Sequence, residues 1–328
     1  MIITRTPFRM SFCGGGSDIA DFYREYGGCV LSTTINKYMY LMLHPYFDEN
    51  KTSLKYSQNE MVEDIQMIDH AIFRCVLNEK QIKGVEISST ADVPSGTGLG
   101  SSSSFTVGLL HTLACYEGKY LSKGELAREA CRVEIEKLGA PIGKQDQYAA
   151  AYGGLNFIRF HKNDMVSVDP IITQKDTIQE LENNLVMFYT GLTHNANAIL
   201  KHQKKNISQK AKVDNLLRMC DLAEYMKVSL ENNELNNFGD ILNESWQKKK
   251  ELAGGISNQV IDDLYECAMQ NGALGGKLLG AGGGGFLLFY CPKKKQKALQ
   301  NILGLRPFPF KFEYDGSTVI YIGDKYWS

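Results

Sequence analysis

The stretch ADVPSGTGLGSSSSF (91–105) constrains this chain more than any other. Before it, Val85, Ile87, Ser89, Ala91 and Val93 alternate on one side of segment 84–93, which reads as a strand. After it, Phe105, Leu109 and Leu113 recur at helical spacing. Between the two, Pro94 breaks the strand, Gly96, Gly98 and Gly100 free the backbone, and serines open the helix. A strand, a glycine turn and a helix start aim unpaired backbone N–H groups and the positive end of the helix dipole at one point. Glycines let a polyphosphate lie against them. Pro94, Gly96, Gly98, Leu99, Gly100, Ser101, Ser102 and Ser103 are therefore expected to bind phosphate. The plainer alternative is a flexible turn with a serine cap. The segment is not a P-loop, because no GxxxxGK[ST] occurs.

Two further glycine runs flank it. TPFRMSFCGGGSDIADFY (6–23) carries Arg9 on a strand, then Gly14, Gly15 and Gly16, then Ser17 and Asp18 opening a helix with Ile19, Phe22 and Tyr26 on its apolar face. Asp18 is either a first-turn acid favoured by the helix dipole or a sugar ligand. In KLLGAGGGG (277–285), Gly280, Gly282 and Gly285 match GxGxxG by spacing. That fingerprint belongs after a first strand and before a helix. This run is late and precedes the strand FLLFYC, which sets a dinucleotide fold aside. So many glycines point to close approach of a ligand or another domain.

Two acids stand out. Ser122 and Glu125 form a capping-box pattern, starting a helix that should stop at Gly139. On it Ala127, Cys131, Glu134 and Leu138 share a face, so Glu134 interrupts an apolar stripe and either needs a partner such as a metal or snorkels at the boundary of the stripe. Glu136 falls with Glu129 and Arg132 on a polar face. Asp146, beside Lys144 and Gln145 at the start of QDQYAAAY, could take a proton from an alcohol, or be a first-turn acid.

The whole chain of 328 residues favours two domains, with a change of character near residue 184 giving expected units 1–184 and 185–328. Strand, helices, two strands, helix and two last strands ending in VIYIG make the second half α+β. A net charge of −1 gives no support to nucleic acid or membrane partners. Eight cysteines without a CxxC pair suit free thiols, and six histidines without HExxH give zinc no support. No apolar run reaches the ~20 residues that span a bilayer. With no signal-peptide plan in MIITRTPFRMSF, a cytoplasmic protein is expected.

Three glycine segments in this order, with Asp146 between the second and third, resemble the GHMP kinase superfamily of galactokinase, homoserine kinase, mevalonate kinase and phosphomevalonate kinase. The resemblance implies a ribosomal protein S5 domain 2-like N-terminal domain, a ferredoxin-like C-terminal domain and an ATP-dependent kinase. It implies that Ser102 and Glu134 hold Mg²⁺, that Asp146 is the catalytic acid, and that Arg9 steadies the nucleophile or the transferring phosphate. It also implies that Gly14, Gly15, Gly16, Ser17, Asp18, Lys144, Gly282 and Gly283 meet substrate. Within the superfamily, CGGGSD, TINKY (34–38), GKQDQY (143–148) and FYTGLTHNA (188–196) most resemble the D-glycero-D-manno-heptose 7-phosphate kinases. These phosphorylate the anomeric hydroxyl, giving the 1,7-bisphosphate, on the way to a nucleotide-activated heptose for surface polysaccharide. Arg5, Arg9, Lys37, Lys144 and His194 are the unranked cations for a substrate phosphate. Another substrate (fucose, galactose or mevalonate) and a non-catalytic binding relative remain the alternatives.

Overall fold

The structure is a computed structural model and describes residues 1–192 and 196–323. In chain order its strands are β1 (Ile2–Cys13), β2 (Gly28–Pro45), β3 (Thr52–Lys55), β4 (Asn59–Val62), β5 (Val85–Ala91), β6 (Leu155–Phe160), β7 (Val166–Pro170), β8 (Leu185–Tyr189), β9 (Gly275–Leu278), β10 (Phe286–Tyr290), β11 (Phe312–Glu313) and β12 (Thr318–Ile322). β2 is rich in β-branched and aromatic residues, which suit a pleated, half-buried surface. It is long enough for four partners. β1 pairs along one side; on the other, β6 lies opposite residues 28–33, β11 opposite Thr34 and Ile35, and β5 opposite residues 39–45. The main path of this sheet is β12-β1-β2-β5-β3-β4.

The sequence reading counts the last two strands with the second half of the chain. The pairing instead puts β11 against β2 and β12 against β1, with Ile2 opposite Ile322. Without β12, the first residues of β1 would form an open edge of unpaired N–H and C=O groups. Pro7, which has no N–H for the ladder, coincides with a register shift in the β1–β2 pair between Pro7 and Phe8. Just beyond it, the Arg9 N–H turns to Leu99 O at 3.1 Å, so the glycine-rich loop is bonded directly to β1.

A second, antiparallel sheet has the order β8-β10-β9. Helices Ala196–Asn206, Lys210–Glu231, Phe238–Lys250 and Gln259–Gln270 lie between β8 and β9, and Lys293–Leu303 follows β10. The edge strand that would complete a ferredoxin-like pattern is reduced to one bridge, Phe188 to Pro307, before the chain returns to the first sheet. The two layers share their cores. Ile19 and Phe22 pack with Trp246, Leu278 and Phe289 of the second layer, while Leu222, Ala223 and Met226 of helix Lys210–Glu231 pack into the first. Among the described residues no helix is long and apolar enough to cross a membrane.

The capping box at Ser122 is present: Ser122 Oγ accepts from the Glu125 N–H, and Glu125 Oε2 from the Ser122 N–H at 2.8 Å. The helix does not then run regularly to Gly139. Residues Arg132–Lys137 form a π-turn, with the Leu138 N–H reaching back five residues to Val133 O. The wider turn breaks the expected stripe: Val133 and Glu134 are buried, while Leu138 is 37% exposed.

Candidate active site

The loop from Pro94 to Gly100 ends in helix Ser101–Tyr116, whose N-cap is Gly100 in the left-handed conformation. No side chain caps that helix. Its first N–H groups therefore face the cavity with the helix dipole behind them. The serine cap of the plainer alternative does not form; Ser102 Oγ donates instead to Glu134 Oε1 at 2.7 Å. Gly98 is needed for a different reason than access by phosphate. Its φ is +86°, and a Cβ there would come within 2.4 Å of Leu279 O. The early loop and the late glycine run thus meet backbone to backbone, as the excess of glycine in 277–285 suggested.

Arg9 and Asp146 meet at the foot of this loop. Arg9 Nε donates to Asp146 Oδ1 and Nη2 to Oδ2, both at 2.7 Å, while Nη1 donates to Gly98 O at 2.7 Å. The pair therefore ties β1, the phosphate loop and helix Gln145–Tyr152 together. Bidentate arginine–carboxylate geometry fixes orientation as well as charge. Asp146 is in its helix's first turn, as the plain reading has it, but it is also 23% exposed at its side chain and lines the cavity.

Glu134 is the better candidate ligand, as the broken stripe implied. It is 2% exposed, and its second oxygen accepts from Gln147 Nε2 at 2.7 Å. Burial raises its pKa above the usual carboxylate range, against the pull of its hydrogen bonds to serine and glutamine. A buried carboxylate and a hydroxyl beside an uncapped helix start are hard oxygen donors. Mg²⁺ takes such a set, with one or two protein ligands and the rest from phosphates and water. Among the described residues no group of three or more His, Cys, Asp and Glu could hold a metal ion.

These residues line one cavity of about 780 Å³. One end is walled by Tyr56, His70, Ile72, Val93 and Phe105, an apolar and aromatic cluster that sequence reasoning missed. The other end holds Gly16, Asp18, Gln203, Lys249 and Gly280. Asp18 is not in a first turn, since the helix begins at Ala20. Its carboxylate folds back to accept from the Gly16 N–H at 2.9 Å and from the Gln145 N–H and Nε2 at 3.1 Å, and burial raises its pKa.

Several expected substrate residues are elsewhere. Gly14 is pressed against the Cys29 carbonyl and Ser17 Oγ bonds the Cys29 backbone, so both serve the loop's own packing. Gly15 is off the cavity wall, and only Gly16 and Asp18 of the CGGGSD run reach it. Gly282 and Gly283 pack on Ile256, not on the cavity, whose wall takes Gly280 and Ala281 instead. Lys144 Nζ lies 4.9 Å above the Tyr23 ring and bonds Asp164 O, drawn off by the acid and the π-face. Arg5 covers the Tyr38 ring and Lys37 that of Phe308, so neither lines the cavity. His194 lies outside the described residues.

Lys249 is the cation that sequence reasoning missed. It is 6% exposed, and its Nζ donates to Gly280 O at 2.5 Å. A signal was available: Ile241, Leu242, Ser245, Trp246 and Lys249 fall on one buried face of their helix, so Lys249 interrupts an apolar stripe as Glu134 does.

A glycine loop at an uncapped helix start, a buried acid–hydroxyl pair, and a carboxylate held beside the loop by arginine suit a phosphotransferase that acts on a small molecule. The chain is a member of the GHMP kinases, whose N-terminal domain model matches residues 67–154 and whose C-terminal model matches 226–307. It is 33% identical over 314 residues to a D-glycero-alpha-D-manno-heptose 7-phosphate kinase of Campylobacter jejuni, covering 91% of this chain and 92% of that protein. The solved structure of a D-glycero-D-manno-heptose 1-phosphate kinase from Bacteroides thetaiotaomicron matches with TM-score 0.81 at 25% identity, covering 99% of this chain and 100% of that one. A Streptococcus pneumoniae phosphomevalonate kinase shares the fold, with TM-score 0.78 at 17% identity over 95% of this chain and 100% of that one.

Proposed function

We propose that the protein is an ATP-dependent kinase that places phosphate on the anomeric hydroxyl of D-glycero-D-manno-heptose 7-phosphate, giving the 1,7-bisphosphate. The observation that carries this reading is the Arg9–Asp146 pair beside an uncapped helix start, in a chain similar to a heptose 7-phosphate kinase over most of its length. ATP would lie with its base against the wall of Tyr56, His70 and Phe105 and its phosphates on residues 96–103. Ser102 and Glu134 would hold Mg²⁺, which supplies charge neutralisation across the phosphate oxygens when bound. Asp146 would orient the sugar hydroxyl and accept its proton, while Arg9 fixes that carboxylate against the loop. Asp18 and Gln203 would bind sugar hydroxyls. We also propose the division 1–184 and 185–328, with the last strands returning to the first unit. A cytoplasmic location is supported by eight cysteines that are all free thiols.

The test is turnover of heptose 7-phosphate against free heptose, fucose, galactose and mevalonate, with phosphorus NMR of the product. The expected product carries a phosphate coupled to the C1 proton. Phosphate placed elsewhere, or equal turnover of free sugars, would overturn the substrate assignment.

A further inference from the structure

Lys249 is a buried lysine of the cavity wall that makes no ion pair among the described residues. Among the described residues its one hydrogen-bond partner is the Gly280 carbonyl, although an ammonium has three donors. Among the described residues, no carboxylate oxygen comes within 4.0 Å of it. The nearest acids are occupied: Asp146 is held bidentately by Arg9, and Asp18 by three amide donors. Behind it sits a second buried lysine, Lys277, whose Nζ donates to Phe12 O at 2.9 Å. Burying charge without a counter-ion is strongly unfavourable unless a ligand supplies one.

Its place narrows what that ligand is. Gly280 packs on Gly98, so Lys249 stands across the glycine contact from Arg9, at the junction of the phosphate loop and the sugar end. On the same wall, Gln203 is 2% exposed and its Nε2, turned toward Gly16, has no partner among the described residues. This end of the cavity therefore presents unused donors and one positive charge that no carboxylate touches directly.

We infer that Lys249 contacts phosphate during turnover, its ammonium meeting a phosphoryl oxygen of one of the two substrates. The inference rests on the kinase reading above. The phosphoryl oxygen belongs either to the group in transfer or to the phosphate the sugar already carries. Groups facing the ammonium are Arg9 from β1, Asp18 from the glycine loop, Asp146 from helix Gln145–Tyr152 and Lys277 from β9. Burial, then Arg9, pushes its pKa down to about 8, while Asp18 and Asp146 oppose the shift. A bound dianion would restore the charged form.

The experiment compares wild type, Lys249→Met and Lys249→Arg, each checked for folding by thermal melting, with heptose 7-phosphate and free heptose. If the group in transfer is the partner, Lys249→Met lowers kcat by ~10²–10³-fold on every accepted sugar and leaves each KM nearly unchanged. If the sugar's own phosphate is the partner, KM for heptose 7-phosphate rises ~10–100-fold and that for free heptose does not. In both cases Lys249→Arg keeps most of the activity. The wild-type kcat/KM falls as pH rises through about 8, and that limb disappears in Lys249→Arg because arginine does not titrate there. Folded Lys249→Met with wild-type kcat and KM would overturn the inference. So would equal loss in both variants with lowered melting, which marks a purely structural tie to Gly280. If the wild type phosphorylates another sugar instead, the heptose assignment fails, and the same comparison on that sugar still decides the role of Lys249.

Discussion

Gly98 fills the side-chain space of Gly280, and the Leu279 carbonyl beside Gly280 fills that of Gly98. A Cβ on Gly98 would lie 2.4 Å from Leu279 O, and one on Gly280 would lie 2.4 Å from the Gly98 Cα. Both have positive φ, +86° and +77°. The phosphate loop therefore depends on a residue far along the chain for its shape.

Gly98→Ala is expected to cost ~1–3 kcal/mol from backbone strain alone, with displacement of residues 279–280 in addition. KM should rise for both ATP and sugar, because the contact borders both ends of the cavity. Gly280→Ala should behave alike, and the double variant should lose less than the sum, since one opened contact serves both. Thermal melting and two-substrate kinetics read this out; a rise confined to the KM for ATP would show that the loop moves independently.

Asp146→Asn should lower kcat by ~10²–10⁴-fold, the usual worth of a positioned general base, with ATP affinity little changed. It also strands the Arg9 guanidinium, which is 6% exposed. A second variant, Arg9→Met with Asp146→Asn, should therefore melt higher than Asp146→Asn alone while remaining inactive. Near-normal turnover of Asp146→Asn would send the search for the acceptor's base to Asp18.

Glu134→Gln separates metal binding from folding. The substitution removes a buried carboxylate, and Gln147 Oε1, which has no partner, could then accept from the new amide. Melting temperature should stay level or rise, while the Mg²⁺ concentration for half-maximal rate increases. An unchanged magnesium titration would remove Glu134 from the metal set.

Much of this was readable in advance. The glycine–serine loop, the capping box at Ser122 and the strand character of β2 follow from local residue chemistry, and the structure has them. Glu134 was found because a carboxylate on an apolar stripe must be explained. Its neighbour Leu138 was misplaced because the π-turn adds a residue to the period, and no propensity marks such a turn. Lys249 was hidden inside QKKKE, where three adjacent lysines look like a solvated face; only the stripe from Ile241 to Trp246 sets it apart. Gly282 and Gly283 were assigned to substrate on motif alone, but which side of a glycine run faces a ligand depends on what packs behind it, here Ile256.

The lysine also makes a stability prediction with a definite sign. Lys249 has a folded-state pKa of about 8 against a reference of 10.5, so between these values the unfolded chain binds more protons than the folded one. Stability from this group therefore rises with pH across that window. Below about pH 8 both states are protonated and the burial penalty is fully felt. Without substrates, Lys249→Met should melt above wild type at pH 7, and the difference should shrink as pH climbs toward 10.5. A difference constant with pH would mean that the ammonium does not titrate in the fold.

The pairing of Ile2 with Ile322 has a consequence for the order of assembly. A ribosome releases β1 first and β12 last, so the first strand to be made waits for nearly the last before its edge is covered. Such long-range pairing closes slowly and leaves β1 exposed during synthesis. The second sheet, by contrast, is assembled from β8, β9 and β10, all upstream of β11. A stop codon shortly before Thr318 would leave that sheet whole and take one of β1's two partners, opening the edge along residues 2–5 while the pairing with β2 remains.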